Sequence, residues 1–163
     1  MKQSGEGATP ATVALVRLGI PFAVRTYEHD PAVNGFGGEA AAALGVAPER
    51  VFKTLLAEVD GALVVGIVPV SGTLDLKALA AAVGGKRATM ADPALAERRT
   101  GYVVGGISPI GQRTRLRTVL DASAGEHETV LVSGGRRGFD IELAPADLAR
   151  ATGAIWAAIG RRG

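Results

Sequence analysis

The sequence contains no cysteine, which excludes disulfides, thiolate metal sites and a cysteine nucleophile. Only 4% of the residues are aromatic, so there are few rings on which single-stranded bases could stack. The two histidines are far apart and lack carboxylates at a ligand spacing, so we expect neither a metal nor a cofactor. No apolar run approaches the roughly 20 residues that span a bilayer, and the N-terminus does not resemble a signal peptide. These absences predict a cytoplasmic protein that does not bind membranes.

The composition is that of a globular protein, with 47% hydrophobic and 21% charged residues among 163, and the length suits a single domain over residues 1–163. The net charge is only +2, but fourteen of the 18 basic residues are arginines and several of them cluster. Arginine binds phosphate bidentately, so the clusters indicate either a phosphate-rich partner or a solvated surface. The clusters are Arg113 with Arg115 and Arg117, Arg136-Arg137 and Arg161-Arg162.

Capping residues, glycines and apolar periodicity predict helices and strands in an irregular order. Helices are predicted at 10–18, 39–44, 74–83, 93–99 and 146–151. Strands are predicted at 22–27, 51–59, 62–70, 86–90, 102–104, 118–120, 129–133, 140–143 and 155–159. This order argues against a strict βαβ alternation. It favours a mixed α/β fold in which a barrel-like mixed sheet is surrounded by helices.

The most unusual segment is a glycine-rich stretch, 101–112, with Gly105-Gly106-Ile107-Ser108-Pro109 at its centre. Glycine allows backbone N–H groups to approach a ligand closely, and such donors can hold a carbonyl oxygen or an oxyanion. Pro109 would stiffen the loop, and Ser108 adds a hydroxyl. The lysine and Ser/Thr that follow the glycines of a P-loop are missing. Spacing alone leaves open a bulge or turn that binds nothing.

Lys53 lies among apolar residues on a predicted interior strand. A lysine in such a place is costly unless it has a partner or a function, although a surface lysine at a barrel rim is the alternative. Strand alternation puts Lys53 on the same face as Val51 and Leu55. That face points to the core if Phe52 and Leu56 point to a helix layer.

Asp140 lies on a short apolar strand. Its carboxylate could pair with the ammonium group of Lys53 or of a ligand, or it could be a charge on an edge strand. His29 follows a predicted strand at the start of a loop, where active-site residues often lie. No serine has the surroundings of a nucleophile elbow, so a hydrolase built on this chain would lack the usual protein nucleophile.

Six segments resemble, in order and spacing, the YbaK/EbsC-like family of aminoacyl-tRNA deacylases, which are related to the editing domain of bacterial prolyl-tRNA synthetases. The segments are TYEHDP at 26–31, VFKTLL at 51–56, LDLK at 74–77, MADP at 90–93, GYVVGGISPIGQ at 101–112 and SGGRRGFDIELAPADL at 133–148. The resemblance implies the same barrel-like mixed sheet. Its implied substrate is cysteine esterified to the acceptor end of tRNA(Pro), with prolyl-tRNA synthetase as a possible partner.

The resemblance also implies roles for particular residues. The N–H groups of Gly105 and Gly106 would hold the ester carbonyl oxygen, and Lys53 would anchor the terminal nucleotide or the ester oxygens. Asp140 would hold the substrate α-ammonium group or position Lys53. The substrate-binding residues implied are Tyr27, His29, Phe36, Ile107, Ser108 and Pro109.

A mechanism without a protein nucleophile is implied as well. The substrate thiol would attack its own ester carbonyl and leave as a cyclic thiolactone, so the protein would need only to orient the ester and stabilise the oxyanion. Two alternatives remain at this point. One is an alanyl- or seryl-tRNA deacylase on the same scaffold, and the other is a non-catalytic module that binds a nucleotide or an aminoacyl-adenosine end.

Overall fold

The computed structural model describes residues 8–30 and 36–162, without the side chains of residues 36 and 37. Within these residues the α-helices are α1 Pro10–Leu18, α2 Phe36–Leu44, α3 Leu76–Ala82, α4 Pro93–Thr100 and α5 Pro145–Thr152. The strands are β1 Ala23–Thr26, β2 Phe52–Val59, β3 Ala62–Pro69, β4 Gly72–Leu74, β5 Ala88–Met90, β6 Arg117–Asp121, β7 Val130–Arg136, β8 Phe139–Leu143, β9 Ile155–Ala157 and β10 Gly160–Arg162. Short 3₁₀ turns occupy Pro48–Arg50 and Ala122–Glu126.

The strands form three sheets. A five-stranded sheet has the order β5-β2-β3-β6-β9, a three-stranded sheet has the order β1-β8-β7, and β10 pairs with β4. β6 runs parallel to β3 and β9, while the other pairs are antiparallel. A single parallel bridge between Val51 and Leu131 links the two larger sheets. The mixed α/β class is confirmed, and the pairings within the described residues leave these sheets separate rather than closing them into one barrel.

Local signals place the ends of several elements where the sequence predicts them. The Thr9 hydroxyl accepts a hydrogen bond from the Thr12 N–H at 3.2 Å, and Pro10 opens α1. The hairpin between β2 and β3 turns at Asp60 and Gly61, whose φ angles of 50° and 87° are those of a type I′ turn. This turn sets the register that places Lys53 opposite Val68.

The helix predicted at 74–83, with Thr73 as its expected cap, begins later, at Leu76. Residues 72–74 form β4 and pair with β10, and the carboxylate of Asp75 accepts from the Ala78 N–H at 3.0 Å to cap α3. The Thr73 prediction is wrong because two candidate caps lie two residues apart. The pairing with the C-terminal strand, which comes from a distant part of the chain, selects the second.

The five-stranded sheet is covered on both faces. Leu56 and Ile67 belong to the largest apolar cluster, with Leu15 of α1 and Ile141 of β8. On the other face, a second cluster contains Val64, Val68 and Leu79 of α3. Leu55 packs against this second cluster. Helices therefore pack on both faces, α1 on the face of Leu56 and α3 on the face shared by Lys53 and Leu55. The condition stated from the sequence, that Leu56 points to a helix, is met, but it does not distinguish the two faces.

Replacing Gly72 by alanine tests the β4–β10 pairing. A Cβ at this position would overlap the carbonyl oxygen of Arg161, which is backbone and cannot move aside. We expect Gly72→Ala to cost about 1–3 kcal/mol, typical of overpacking, and so to lower Tm by at least about 2 °C in thermal unfolding. Gly125→Ala is the matched control, because a Cβ there would make only an ordinary contact with Trp156 at 3.7 Å. Equal effects of the two substitutions would contradict the pairing.

Candidate active site

A cavity of about 470 Å³ lies beside β2, where the sheet has a gap. β5 pairs with β2 only from Ala57 to Val59, and the Ala91 N–H continues this contact to the Leu56 carbonyl at 3.0 Å. At its other end, β2 is preceded by the Val51–Leu131 bridge to the second sheet. Between these two points the edge of β2 borders the cavity, and all six residues of 51–56 line it.

The remaining walls come from several other parts of the chain, among them Gly38 and Ala40 of α2 and Val70 after β3. Met90 and Pro93 line the side next to α4, and Val104, Gly105 and Ile107 of the glycine-rich loop line another. Tyr27 follows β1. The β7–β8 hairpin completes the wall with Ser133, Arg136, Arg137 and Asp140.

Lys53 lies in the cavity wall and is half-buried. Burial lowers the pKa of its ammonium group, because the charged form loses solvation. Among the described residues no carboxylate forms an ion pair with it. The sequence expectation of a lysine away from bulk water is therefore met, and the cavity contains a cation whose charge no described acidic residue neutralises.

Asp140 lies on β8, the central strand of its sheet, opposite Arg25 on one side and Ser133 on the other. It is 5% exposed, and burial raises the pKa of its carboxyl to about 7. The edge-strand alternative is wrong, because β8 is paired on both sides. The ion pair with Lys53 that the sequence left open is also absent from the described residues, so the carboxyl and the ammonium group remain separate in one cavity.

Tyr27 reaches the same cavity from the end of β1. Its N–H donates to the Gly138 carbonyl at 3.0 Å, which fixes the backbone beside the β7–β8 turn. Burial raises the pKa of its phenol, and the negative charge of Asp140 raises it further. The phenol and the Asp140 carboxyl are therefore close enough to interact electrostatically.

The glycine-rich loop is built differently from the prediction. Residues 102–104 form no strand, because the chain turns here and the Gly106 N–H donates to the Val103 carbonyl at 2.8 Å. The expectation that the Gly106 N–H would hold the substrate carbonyl is therefore wrong in this structure. The N–H groups of Gly105 and Ile107 have no hydrogen-bond partner among the described residues, and both residues line the cavity.

The two glycines allow the loop to pack against the β7–β8 turn. A Cβ on Gly105, whose φ is +96°, would lie 2.6 Å from Nη2 of Arg137. A Cβ on Gly106 would lie 2.7 Å from the Cα of Arg136. Both distances are shorter than real Cβ contacts, so the absence of side chains is what brings this loop and the arginine pair together.

Ser108 and Pro109 are buried behind the loop and do not line the cavity. The Ser108 hydroxyl accepts from the Ile110 N–H at 3.2 Å, and its carbonyl accepts from the Gln112 amide at 2.9 Å. The Tyr102 hydroxyl donates to the Ile110 carbonyl at 2.7 Å. The predicted substrate contact of Ser108 is therefore corrected to a structural role at the base of the loop. Pro109 is buried away from the cavity, so its predicted substrate contact is corrected as well.

The other two predicted substrate-binding residues have different outcomes. His29 does not line the cavity, but its Nε2 lies 2.7 Å from Nη1 of Arg137, which does. Phe36 begins α2, and its side chain lies outside the described residues, so its contact with substrate stays a prediction.

Sequence reasoning missed several residues of the cavity. Thr54 has a buried hydroxyl with no hydrogen-bond partner among the described residues, although it adjoins Lys53 in the sequence. Ser133 and the arginine pair were noted only as part of a motif and a charge cluster. The guanidinium of Arg136 stacks over Phe139, 4.3 Å from the ring centroid. Ser133 and the arginine pair could have been predicted from the sequence, because they lie three to seven positions before Asp140, around a glycine turn.

Comparison with known proteins identifies the family of this chain. The sequence matches the family described as the aminoacyl-tRNA editing domain over residues 31–151. The chain belongs to this family. It is 39% identical, over 142 residues, to a protein of Enterococcus faecalis whose name assigns it as a Cys-tRNA(Pro)/Cys-tRNA(Cys) deacylase, EbsC. That alignment covers 86% of this chain and 85% of the relative.

Solved structures resemble this editing domain along nearly its whole length. One crystal structure, described as a trans-editing enzyme for prolyl-tRNA synthetase, matches with a TM-score of 0.84 and 26% identity over 98% of this chain and 99% of the other. A crystal structure of a hypothetical protein matches with a TM-score of 0.84 and 25% identity over 94% and 100%. The fold class and the enzyme class expected from the sequence, an aminoacyl-tRNA deacylase, are confirmed.

The described part of the editing domain contains no group of three or more His, Cys, Asp or Glu side chains arranged to hold a metal ion. None of its helices has the length and apolar character of a membrane span.

The buried carboxyl of Asp140 makes the stability of this editing domain depend on pH. Its pKa is about 7 in the folded protein and near 3.9 in an unfolded chain, so the folded state binds more protons between these values. The unfolding free energy of the wild type therefore falls as the pH rises from about 4 to about 7. Asp140→Asn removes the charge and should gain stability relative to the wild type across this window, by at most about 4 kcal/mol.

Denaturant unfolding of both proteins at several pH values measures this difference. Glu126→Gln, at an exposed position, controls for the loss of one negative charge. If the unfolding free energies of the wild type and of Asp140→Asn changed in parallel with pH, the carboxyl would not be desolvated.

Proposed function

We propose that this chain removes cysteine from mischarged Cys-tRNA(Pro), acting in trans on tRNA that the synthetase has released. The observation that carries the proposal is that the cavity contains a basic and an acidic side chain that form no ion pair with each other. Lys53 and Asp140 line one cavity, burial disfavours the charged form of both, and the two do not neutralise each other. An acid and a base in one cleft, each with a pKa that burial shifts toward the neutral form, are typical of functional sites.

The charges fit an aminoacyl-nucleotide. Such a ligand carries an α-ammonium group at one end and phosphate oxygens at the other, joined by an ester and a ribose. The carboxylate of Asp140 suits the ammonium group, and the ammonium group of Lys53 suits the oxygens of the nucleotide or ester. Each ligand charge would replace solvation that its partner lost on burial, which gives binding energy and orientation together.

The dimensions and walls also fit. A cavity of about 470 Å³ is in the range of small-molecule sites, large enough for a small amino acid and part of a ribose. Apolar groups from Phe52, Leu55 and Ile107 contribute to the walls. The relative from Enterococcus faecalis, whose name includes both Cys-tRNA(Pro) and Cys-tRNA(Cys), supports cysteine as the amino acid.

The reaction we propose uses the thiol of the substrate. The sulfur forms a bond to the ester carbonyl carbon, the bond from that carbon to the ribose oxygen breaks, and the thiol proton ends on the ribose oxygen. The products are a cyclic thiolactone and uncharged tRNA. The N–H groups of Gly105 and Ile107 would face the developing oxyanion, in place of the pair first expected, because the Gly106 N–H is engaged in its turn.

Delivery of the substrate is a further part of the proposal. A net charge of +2 gives little general attraction for a tRNA body, so we propose recruitment by prolyl-tRNA synthetase in the cytoplasm. Affinity for tRNA(Pro) that is weak and depends little on salt, and that rises when the synthetase is added, would support this route.

Lys53→Ala tests the assignment of the cavity. Removal of the ammonium group should lower the single-turnover rate of Cys-tRNA(Pro) deacylation by about 100-fold or more, as for the loss of a transition-state donor. Lys86→Ala, at an exposed lysine, is the control and should retain the wild-type rate. An unchanged rate for Lys53→Ala would exclude this lysine from the reaction. Tight binding without ester loss in the wild type would instead indicate a binding module.

Comparison of three substrates tests the role of the thiol. A hydroxyl is far less acidic than a thiol, so Ser-tRNA(Pro) should be deacylated at least about tenfold more slowly than Cys-tRNA(Pro). Ala-tRNA(Pro), which has no internal nucleophile, should remain charged. Single-turnover assays with the same tRNA preparation measure the three rates. Similar rates for cysteine and serine would contradict attack by the substrate, and a preference for alanine would point to the alternative deacylase.

A further inference from the structure

Three side chains form a line of hydrogen bonds that ends at the glycine-rich loop. Nδ1 of His29 lies 2.7 Å from Oε1 of Glu39, and Nε2 of the same ring lies 2.7 Å from Nη1 of Arg137. The guanidinium of Arg137 in turn lies against Gly105. The three side chains come from α2, from the segment after β1 and from the β7–β8 turn, so the line joins three separate parts of the fold.

The chemistry of the groups fixes the direction of each bond. A guanidinium only donates, so Nε2 of His29 must accept from Arg137. The ring proton then resides on Nδ1 and is donated to Glu39. The other carboxylate oxygen of Glu39 accepts from the Asp30 N–H at 2.7 Å. These bonds to the Asp30 N–H and to His29 hold the pKa of the Glu39 carboxyl below its usual value. Glu39 is therefore an anchored acceptor at the base of the line.

This arrangement fixes the position of an arginine in the cavity wall. Arg137 lines the cavity, and both Nη2 and Nε lie so close to Gly105 that a Cβ there would be 2.6 Å and 2.7 Å away. A long side chain normally samples many rotamers, and ordering it on binding costs conformational entropy. Here His29 and Gly105 hold the guanidinium in place before any ligand arrives.

The position of Arg137 relative to the other cavity charges suggests what it binds. Gly105 and Ile107 provide the N–H groups proposed to face the ester, so the guanidinium lies beside the reacting carbonyl. In aminoacyl-tRNA, the phosphate of the terminal nucleotide is one ribose away from that ester. Lys53 lies on β2, in a different wall, and Arg136 stacks on Phe139. An oriented guanidinium is the side chain best suited to a phosphate.

We propose that Arg137 binds the 5′-phosphate of the terminal nucleotide, and that His29 and Glu39 are positioning residues that orient it. The proposal rests on the proposed function, since it assigns a further contact to the same substrate. It accounts for a histidine that lies next to the cavity but not in its lining. It also gives the close packing of Gly105 on Arg137 a function. Any side chain at position 105 would displace the guanidinium that binds the phosphate.

The test uses two small substrates that differ only in the phosphate: 3′-O-cysteinyl-adenosine and its 5′-monophosphate. In the wild type the phosphate should raise kcat/KM. Arg137→Gln should lower the ratio of kcat/KM for the 5′-monophosphate to kcat/KM for the nucleoside ester by about 10- to 100-fold, chiefly through KM for the 5′-monophosphate. Arg150→Gln, at an exposed arginine, controls for the loss of charge and should change neither value. Equal losses on both substrates, or none on either, would overturn the proposal.

The positioning role has its own readout. His29→Ala and Glu39→Gln should each raise KM for the 5′-monophosphate alone, by less than Arg137→Gln does. In the Arg137→Gln background the same substitutions should add nothing, because they act through that arginine. Additive effects, or equal effects on the nucleoside ester, would show that His29 and Glu39 only stabilise the fold.

Failure of the proposed function can be told apart from failure of this inference. If the wild type cleaves neither cysteinyl ester, the proposed action on cysteine fails, and the phosphate contact is then judged by binding alone. Titration with AMP and with adenosine should show tighter binding of AMP to the wild type and a loss of that preference in Arg137→Gln. The same preference in both proteins would overturn the phosphate contact.

Discussion

The site depends on a short stretch of β2 that has no neighbouring strand on one side. β5 stops at Met90, and among the described residues the only backbone bridge from the second sheet to this end of β2 is that between Val51 and Leu131. An unpaired strand edge inside a protein leaves backbone N–H and C=O groups without partners unless a ligand or water meets them. The cavity occupies this gap. Lys53 and Thr54 are therefore placed by a strand whose other edge is fully paired with β3.

The second constraint is the close packing of two turns across the gap. Gly105 and Gly106 lie so near the Arg136-Arg137 turn that neither position has room for a Cβ. From the sequence, the glycines suggest backbone N–H groups that are free to bind a ligand. Here Gly106 donates within its own turn, and the more important consequence of the glycines is steric. The loop can approach the arginines, and the arginines thereby become part of the cavity wall.

Much of this could be predicted from local signals. The Thr9-Pro10 cap, the Asp60-Gly61 hairpin and the burial of Lys53 follow from interactions within a few residues. The sequence predictions fail where contacts between distant segments of the chain determine the structure. Thr73 loses the role of cap because residues 72–74 pair with the C-terminal strand, and the hydroxyl of Ser108 is buried by its own loop. The contact between His29 and Arg137 spans 108 positions and depends on the pairing of β1 with β8, which no local pattern contains.

The size of the cavity has a consequence for specificity. At about 470 Å³ it is too large to separate cysteine from serine or alanine by volume, and a difference of one methylene or hydroxyl is worth only about 1–3 kcal/mol in an apolar pocket. Selection of cysteine under the proposed mechanism therefore comes from reactivity rather than fit. Under the same proposal, the charged residues would hold the parts that all aminoacyl-tRNAs share, the ammonium group and the nucleotide. The side chain that differs between them is left to supply the nucleophile, so a substrate without a thiol can bind and still not react.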